Sequence, residues 1–207
     1  MSRLIDISPL VGEGIAVWPG DVPYARQVGL ALEDGHNIAL SSITTTLHLG
    51  AHADAPNHYV QGGEDAASRD LAPYYGPCQV VHVDLPRGAR VLPEHLPGPL
   101  EAPRLLVCTR SFPDPRAWNT DFNSLSPELI EHLAARGGVL VGIDTPSVDP
   151  FDSKALETHH ALARHGVANL EGLVLEHVPA GRYTLIALPL RLAGADASPV
   201  RAALVAD

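Results

Sequence analysis

The hydrophobic positions of this chain fall into short runs that alternate with polar residues or are apolar throughout. Such runs, rich in β-branched residues and bounded by glycine or proline, are typical of β-strands. We predict strands at 4–7, 24–33, 38–47, 79–85, 104–109, 139–143, 172–176, 183–190 and 201–205. Helical periodicity is confined to 65–72, 127–136 and 155–164.

This balance of strands and helices indicates an α/β fold with a β-rich core. The early strands lack the crossover helices that a doubly wound parallel sheet requires, so we expect a mixed or antiparallel sheet. The chain has 207 residues, which suits one domain with a sizeable core. We therefore expect residues 1–207 to form a single domain.

Residues 48–58 interrupt the pattern with a cluster of polar side chains. Three histidines and an aspartate all occupy even positions: His48, His52, Asp54 and His58. The β-branched residues just before them favour a strand that continues into this segment. Alternate side chains of a strand share one face, so we expect these four to project into the same space.

A straight strand would not bring these side chains together. It would place the Cα atoms of His48 and His52 about 13 Å apart, too far for one metal ion. We therefore expect the chain to bend at Gly50, which tolerates unusual backbone angles, and the strand to end at Pro56. One histidine in a strand is usually an ordinary polar residue, but four ligand-type side chains crowded together predict a metal site.

Further candidate ligands lie in the second half of the chain, and each has two interpretations. Glu171 begins an apolar run and is either a metal-bridging carboxylate or a solvated loop residue. His159 and His160 lie side by side in the predicted helix at 155–164. Because neighbouring helical residues point about 100° apart, only one of the two can face a given site.

Trp18 belongs to a Trp-Pro-Gly-Asp turn near the N-terminus. It either packs locally over that turn or lines a ligand pocket, and the sequence leaves both interpretations open.

Composition limits the partners and the compartment. Fourteen basic and twenty-four acidic residues give a formal net charge of −10, which argues against nucleic acid or an anionic membrane surface as the partner. The chain shows no signal-peptide core and no membrane-spanning run, so we expect a cytoplasmic protein that acts on a small molecule. Cys78 and Cys108 form no CxxC pair, and Cys108 reads as a buried reduced thiol.

Segments spread along the whole chain resemble those of the metal-dependent cyclase-type hydrolases, and within them the bacterial kynurenine formamidases. The most specific match is the motif HxGxHxDxPxH at 48–58. The other matching segments are 6–8, 18–21, 142–147, 159–171, 188–190 and 196–201. The resemblance implies an arylformamidase of tryptophan degradation, which hydrolyses N-formyl-L-kynurenine to L-kynurenine and formate through a metal-activated water.

The resemblance also implies a role for each matching residue. The implied ligands of two divalent metal ions per subunit, expected to be zinc, are His48, His52, Asp54, His159 and Glu171. Asp54 and Glu171 would bridge the two ions. His58 corresponds to the acid/base histidine, and Trp18 to an aromatic residue of the substrate pocket.

The family fold implied is a compact β/β/α domain that forms homodimers or higher homo-oligomers. Ala51 departs from the family pattern, since many members have serine or threonine there, but the change removes no ligand. Two alternatives stay open: a hydrolase of another aryl or cyclic amide such as isatin, and a non-catalytic metal or small-molecule binding protein. No G-x-S-x-G segment occurs, so nothing indicates a serine nucleophile.

Overall fold

The structure is a computed structural model that describes residues 3–206. Two helices lie within this range, α1 (Pro127–Ala134) and α2 (Glu157–His165). The strands are β1 (Arg3–Asp6), β2 (Ala25–Leu30), β3 (Leu40–Thr44), β4 (His52–Asp54), β5 (Tyr75–His82), β6 (Arg90–Val91), β7 (Arg104–Cys108), β8 (Ser124–Leu125), β9 (Leu140–Ile143), β10 (Ala168–Leu170), β11 (Gly181–Ile186), β12 (Ala197–Pro199) and β13 (Ala203–Ala206).

Seven of these strands form one mixed sheet in the order β1-β13-β11-β5-β7-β9-β10. The pairs from β1 to β5 are antiparallel, and the pairs from β5 to β10 are parallel. The predicted β-rich α/β fold with a mixed sheet is confirmed. The expectation of one domain stays a prediction.

Strand β7 shows why several strands are apolar throughout. Leu105 and Val107 pack into the core beneath α1 and α2, whereas Leu106 and Cys108 pack into a second core on the opposite face of the sheet. Because both faces are covered, every position of the strand is buried. The second core also contains Ala53 of β4, so it supports the segment that carries the histidine motif.

The remaining strands form three small pairs. β4 pairs with β12 in antiparallel fashion, which fixes residues 52–54 against 197–199. β2 and β3 form an antiparallel hairpin, as predicted, around a turn that ends at Gly35. β6 and β8 form a short parallel pair.

Both later helices occur near their predicted positions. The Ser126 side chain accepts a hydrogen bond from the Leu129 backbone N–H at 3.2 Å, and Pro127 opens α1, as the sequence indicates. α2 begins at Glu157, two residues later than predicted, because Leu156 adopts a left-handed conformation with a φ of 45°. Gly166 ends α2 with a φ of 64°, in the role expected for it.

The prediction of a helix at 65–72 is wrong, because this segment forms turns. The Asp65 carboxylate accepts a hydrogen bond from the Ser68 backbone N–H at 2.9 Å, and this side-chain contact replaces the helical start. A single 3₁₀ turn, Ala72–Tyr74, follows just before β5.

The strand predicted at 172–176 is also wrong. The strand in this region is β10, which lies before the predicted range and ends at Leu170. Gly172 then turns the chain with a φ of 65°. The backbone N–H groups of Leu173 and Val174 donate to the carbonyls of Ile143 and Ile7, on two different segments. Leu173 and Leu175 are buried, which accounts for the apolar pattern, but the backbone hydrogen bonds of the segment do not form a ladder.

Cys78 and Cys108 are both buried and free, as expected for Cys108. Burial raises the pKa of each thiol to about 12. In residues 3–206 no helix combines the length and apolarity that crossing a bilayer would need. The cytoplasmic location stays a prediction.

Candidate metal centre

The candidate centre lies where β4 meets the residue that follows β10. His52 and Glu171 exchange two backbone hydrogen bonds, at 3.1 and 3.0 Å, and so form an isolated β-bridge. Gly50 and Gly172 stand just outside this bridge with positive φ values of 55° and 65°. A Cβ atom on Gly172 would lie 2.1 Å from the Gly50 carbonyl oxygen, so only glycine permits this approach.

The chain bends at Gly50, as predicted, but the strand is shorter than expected. β3 ends at Thr44 and β4 begins at His52, so His48 lies in an irregular segment. Pro56 starts a 3₁₀ turn whose last residue is His58. The side chains therefore converge because the backbone turns twice, and only residues 52 and 54 share a strand face.

The five predicted metal ligands converge on one buried space. The carboxylate of Asp54 lies with Oδ1 3.1 Å from His48 Nδ1 and 3.6 Å from His52 Nε2. Its other oxygen, Oδ2, lies 3.4 Å from His159 Nε2. Glu171 repeats the arrangement, since Oε2 is 3.3 Å from His52 Nε2 and Oε1 is 3.4 Å from His159 Nε2. Each carboxylate thus offers one oxygen to either side of the space.

The three imidazoles are oriented by hydrogen bonds on their outer nitrogens. His52 Nδ1 lies 2.9 Å from the Gly50 carbonyl oxygen, and His48 Nε2 lies 2.9 Å from Asp196 Oδ2. His159 Nδ1 lies 2.8 Å from Asp149 Oδ2. Each of these outer nitrogens can donate its N–H to the acceptor, so the inner nitrogen of each ring is the one that would bind a cation, as in metal-binding histidines.

The donor set fits a bound cation. His52 Nε2 and Asp54 Oδ1 are buried, and neither forms a hydrogen bond within the described residues. Such orphaned groups are costly unless a further partner satisfies them. A tetrahedral zinc ion with ligands at about 2.1 Å would separate neighbouring ligand atoms by about 3.4 Å. The separations between donors, 3.1 to 3.6 Å, match that spacing.

The electrostatics of the cluster also favour a cation. Burial alone would raise the pKa of Asp54, but the adjacent His159 and His48 outweigh it and hold that pKa well below its usual value. Burial would lower the pKa of His159, yet the neighbouring carboxylates raise it well above the usual range. For His48, burial again lowers the pKa, but the adjacent Asp54 carboxylate outweighs it and raises the pKa to about 9. The two carboxylates therefore stabilise positive charge beside them.

Three residues of this network were not assigned a role from the sequence. Asn169 donates to Asp54 Oδ2 at 2.7 Å and to Glu171 Oε1 at 3.2 Å. Asn169 precedes Glu171 by two residues, and that same-face strand spacing was a usable signal. Asp149 and Asp196 reach the histidines only through the tertiary fold, so spacing along the chain could not reveal them.

His58 lies at the edge of the cluster, about one-third exposed. Its Nδ1 is 3.7 Å from Asp196 Oδ2, and its ring centre is 4.3 Å from that of His48. Burial lowers the pKa of His58, which keeps the imidazole neutral and able to accept a proton at neutral pH. Together with His48 and Asp54 it is also close enough to serve as a ligand, so its role needs a test.

His159 is buried on the inner face of α2, whereas the neighbouring His160 is exposed. His160 lines a separate shallow groove with Val60 and Arg164. The helix therefore turns only His159 toward the cluster, which agrees with the angular argument from the sequence.

A cavity of about 510 Å³ opens onto the cluster. Trp18 lines it and packs against three other aromatic rings, with centroid distances of 5.0 Å to Phe151, 5.2 Å to Trp118 and 6.3 Å to Phe122. Trp18 therefore does not simply cover its own turn. The aromatic wall stands beside a polar, metal-type floor, which is the usual composition of a small-molecule site.

Comparisons with known proteins agree with this geometry. The model of the Cyclase family matches residues 5–150. Over 206 residues the chain is 48% identical to the kynurenine formamidase of Bordetella pertussis (strain Tohama I), across 99% of this chain and 98% of the relative. The resemblance that the sequence motifs indicated is thereby confirmed.

Solved structures share the fold. A potential metal-dependent hydrolase with cyclase activity superposes with a TM-score of 0.83 at 27% identity, covering 99% of this chain and 98% of that one. Isatin hydrolase A from Labrenzia aggregata superposes with a TM-score of 0.76 at 20% identity, covering 99% and 93%. At that identity the second likeness shows the fold alone.

The adjacent histidines of α2 provide a matched pair of variants. We expect metal-replete wild-type protein to hold two divalent ions per chain, and His159→Ala to lose metal because it removes an inward-facing donor. His160→Ala should keep the wild-type metal content, since its ring points away. Elemental analysis after dialysis measures both. Equal metal loss in the two variants, or full activity at one ion per chain, would contradict the assignment.

Proposed function

This chain belongs to the cyclase family, and we propose that its buried centre hydrolyses N-formyl-L-kynurenine to L-kynurenine and formate. The observation that carries the proposal is the convergence of His48, His52, Asp54, His159 and Glu171 beneath an aromatic-lined cavity. The chain is similar over nearly its whole length to an enzyme named for this reaction. A hydrolase of linear amide bonds is therefore the function that the site supports best.

The donor set would hold two divalent cations, with zinc as the expected metal. His48 and His52 would bind on one side and His159 on the other, while Asp54 and Glu171 offer an oxygen to each side. Such cations lower the pKa of a water molecule and stabilise negative charge on a carbonyl oxygen. The protein contributes the placement of these groups.

Hydrogen bonds from outside the cluster fix the carboxylates. The Val148 backbone N–H donates to Glu171 Oε1 at 2.9 Å, next to the contact from Asn169. An oriented carboxylate keeps its charge and its direction as the reaction proceeds, so little reorganisation is needed. Mutation of Asn169 would remove one hydrogen-bond donor from each of the two carboxylates.

His58 is the residue we assign to proton transfer. Water attacks the formyl carbon and gives up a proton, and His58 in its neutral form accepts that proton. The carbon–nitrogen bond then breaks, and the protonated imidazole donates to the departing aryl amine. His58 returns to its neutral state, and the formic acid that is formed releases its remaining proton to the solvent and leaves as formate together with L-kynurenine.

The aromatic wall positions the ring of the substrate. Trp18 and Trp118 meet edge to face and line the same cavity, next to the histidines. An aminophenyl ring packs on such a surface and is shielded from water. The formamide nitrogen, which is bonded directly to that ring, would then lie over the metal centre.

Activity before and after chelation tests the proposed function. We expect metal-replete protein to hydrolyse N-formyl-L-kynurenine, to lose this activity in a strong chelator and to regain it when zinc or manganese is restored. Isatin should be a much poorer substrate. Faster turnover of isatin would favour the cyclic-amide alternative, and metal binding without hydrolysis of any amide would favour a binding protein.

His58→Ala separates proton transfer from metal binding. We expect this variant to keep most of its metal, while its turnover falls by roughly a hundredfold or more, the usual contribution of a positioned proton carrier. The defect should shrink for formanilides with electron-withdrawing rings, because a better leaving group needs less protonation. His52→Ala is the control: it should lose its metal, and its activity should fall equally for all substrates. If His58→Ala binds metal poorly and its loss of turnover does not depend on the leaving group, His58 is a metal ligand.

The β2–β3 hairpin supports a homo-oligomer. Every residue of β3 and nearly all of β2 are exposed, including Leu40 at 57% and Ile43 at 61%. A lone two-stranded hairpin is marginally stable in water, and an exposed apolar one is a typical contact surface. We infer that a second copy of this chain covers it, consistent with the homodimer expected from the sequence.

The oligomer is tested by replacing exposed apolar residues of the hairpin. Leu40→Ser combined with Ile43→Ser should shift the sedimentation coefficient from that of a dimer or larger species to that of a monomer. Leu188→Ser, which changes an exposed leucine outside the hairpin, serves as the control. A wild-type protein that is monomeric at micromolar concentration would overturn the inference.

A further inference from the structure

Among residues 3–206, the lining of the cavity beside the metal centre includes a single permanent cation. Of the arginine and lysine residues in 3–206, only Arg110 contributes to its lining. The other charged lining residues are the acids Asp21, Asp144, Glu171 and Glu176, together with the histidines of the centre. Apart from the metal centre, an anionic group that enters this cavity therefore meets one attractive guanidinium and the repulsive carboxylates of Asp21, Asp144 and Glu176.

The backbone of Arg110 is held in an unusual conformation. Its φ is 56°, in the left-handed region that non-glycine residues seldom adopt. Asp144 holds it there, since the Arg110 backbone N–H donates to Oδ2 at 2.8 Å and the Thr109 hydroxyl donates to Oδ1 at 2.7 Å. Backbone strain that neighbouring groups enforce in this way is characteristic of functional positions.

The guanidinium is oriented by a neutral partner. Arg110 Nη2 lies 2.7 Å from His82 Nδ1, and His82 Nε2 lies 2.8 Å from the Val178 carbonyl oxygen. A guanidinium only donates hydrogen bonds, so Nδ1 must accept and the proton of the ring must be on Nε2. His82 thus positions Arg110 without neutralising its charge.

Other arginines of this chain use their charge within the protein. Arg87, Arg90 and Arg201 form ion pairs with carboxylates. Arg110 forms no ion pair with any described residue, and two of its three guanidinium nitrogens have no partner there. A fork of free N–H donors matches the two oxygens of a carboxylate.

We propose that Arg110 binds the α-carboxylate of the amino-acid end of the substrate. The proposal rests on the proposed function, because N-formyl-L-kynurenine carries its formamide at one end and its carboxylate at the other. Arg110 then sets the orientation, since its guanidinium holds the carboxylate end of the substrate at one place in the cavity. The formamide is left as the end that reaches the metals.

Replacing the carboxylate of the substrate by a carboxamide tests this role. For wild type, we expect the KM of the carboxamide to exceed that of N-formyl-L-kynurenine by about tenfold to a hundredfold, the usual range for a charge-assisted contact. Arg110→Gln should raise the KM of the carboxylate substrate by a similar factor. The KM of the carboxamide, and kcat for both, should stay near wild type. Arg182→Gln, at an exposed arginine outside the cavity, is the control.

A second variant leaves Arg110 in place. His82→Asp puts a carboxylate beside the guanidinium, so it should raise the KM of the carboxylate substrate and leave that of the carboxamide unchanged. His82→Gln keeps a neutral acceptor and should change neither KM. The preference of wild type for the carboxylate should also shrink as ionic strength rises, because Arg110 is exposed.

Three outcomes would overturn the inference. A wild type that hydrolyses both substrates with equal KM has no carboxylate site. An Arg110→Gln protein whose KM rises equally for both substrates shows that Arg110 supports the structure and does not recognise the carboxylate. A wild type that hydrolyses neither substrate refutes the proposed function itself, which is a distinct result from the loss of discrimination.

Discussion

The structure depends on the backbone contact between residues 50–52 and 171–172. This contact joins an N-terminal segment to the residue that follows β10, a strand at the edge of the sheet, and it pairs His52 with Glu171 in an isolated β-bridge. Its tightness comes from two glycines, since a side chain on Gly172 would collide with the Gly50 carbonyl. The bend at Gly50 and the turn at Gly172 follow from the same requirement. His52, Asp54 and Glu171 are therefore held on paired backbone.

Burying two carboxylates together is unfavourable, and the surrounding residues show how the fold tolerates it. Asp54 and Glu171 are both buried, and burial together with the charge of Asp54 would raise the pKa of Glu171. The imidazoles supply compensating positive charge, and Asn169 and the Val148 backbone supply neutral donors. A site organised in this way is preorganised for cations and poorly suited to any neutral occupant. The cost is local, because the cores on both faces of the sheet are otherwise almost entirely apolar.

Local patterns predicted the parts of this site that lie close together in sequence. The motif at 48–58 identified His48, His52, Asp54 and His58 as neighbours, and helical geometry restricted the choice in α2 to one histidine. The two wrong elements have a common cause, because apolarity or polarity alone does not specify where backbone hydrogen bonds go. At 172–176 they go to two separate segments, and at 65–72 an aspartate side chain takes one. Asp149, Asp196 and Arg110 were missed because each contacts a residue at least ten positions away in sequence, which only the tertiary fold brings close.

The candidate ligands and the rest of the cavity lining differ in how they are held. Four of the five candidate ligands lie in a strand, a helix or the bridge beside them and are buried, whereas His48 lies in an irregular segment. The lining residues Trp18, Arg110 and Trp118 all lie in irregular segments. Loops change without disturbing a core, so a chain with this fold can alter its substrate while it keeps the same centre. Arg110 is the instructive exception, because the Asp144 network ties its backbone to the end of β9. A recognition residue fixed so firmly on a loop implies that the position of the bound charge, and not merely its presence, matters for placing the scissile bond.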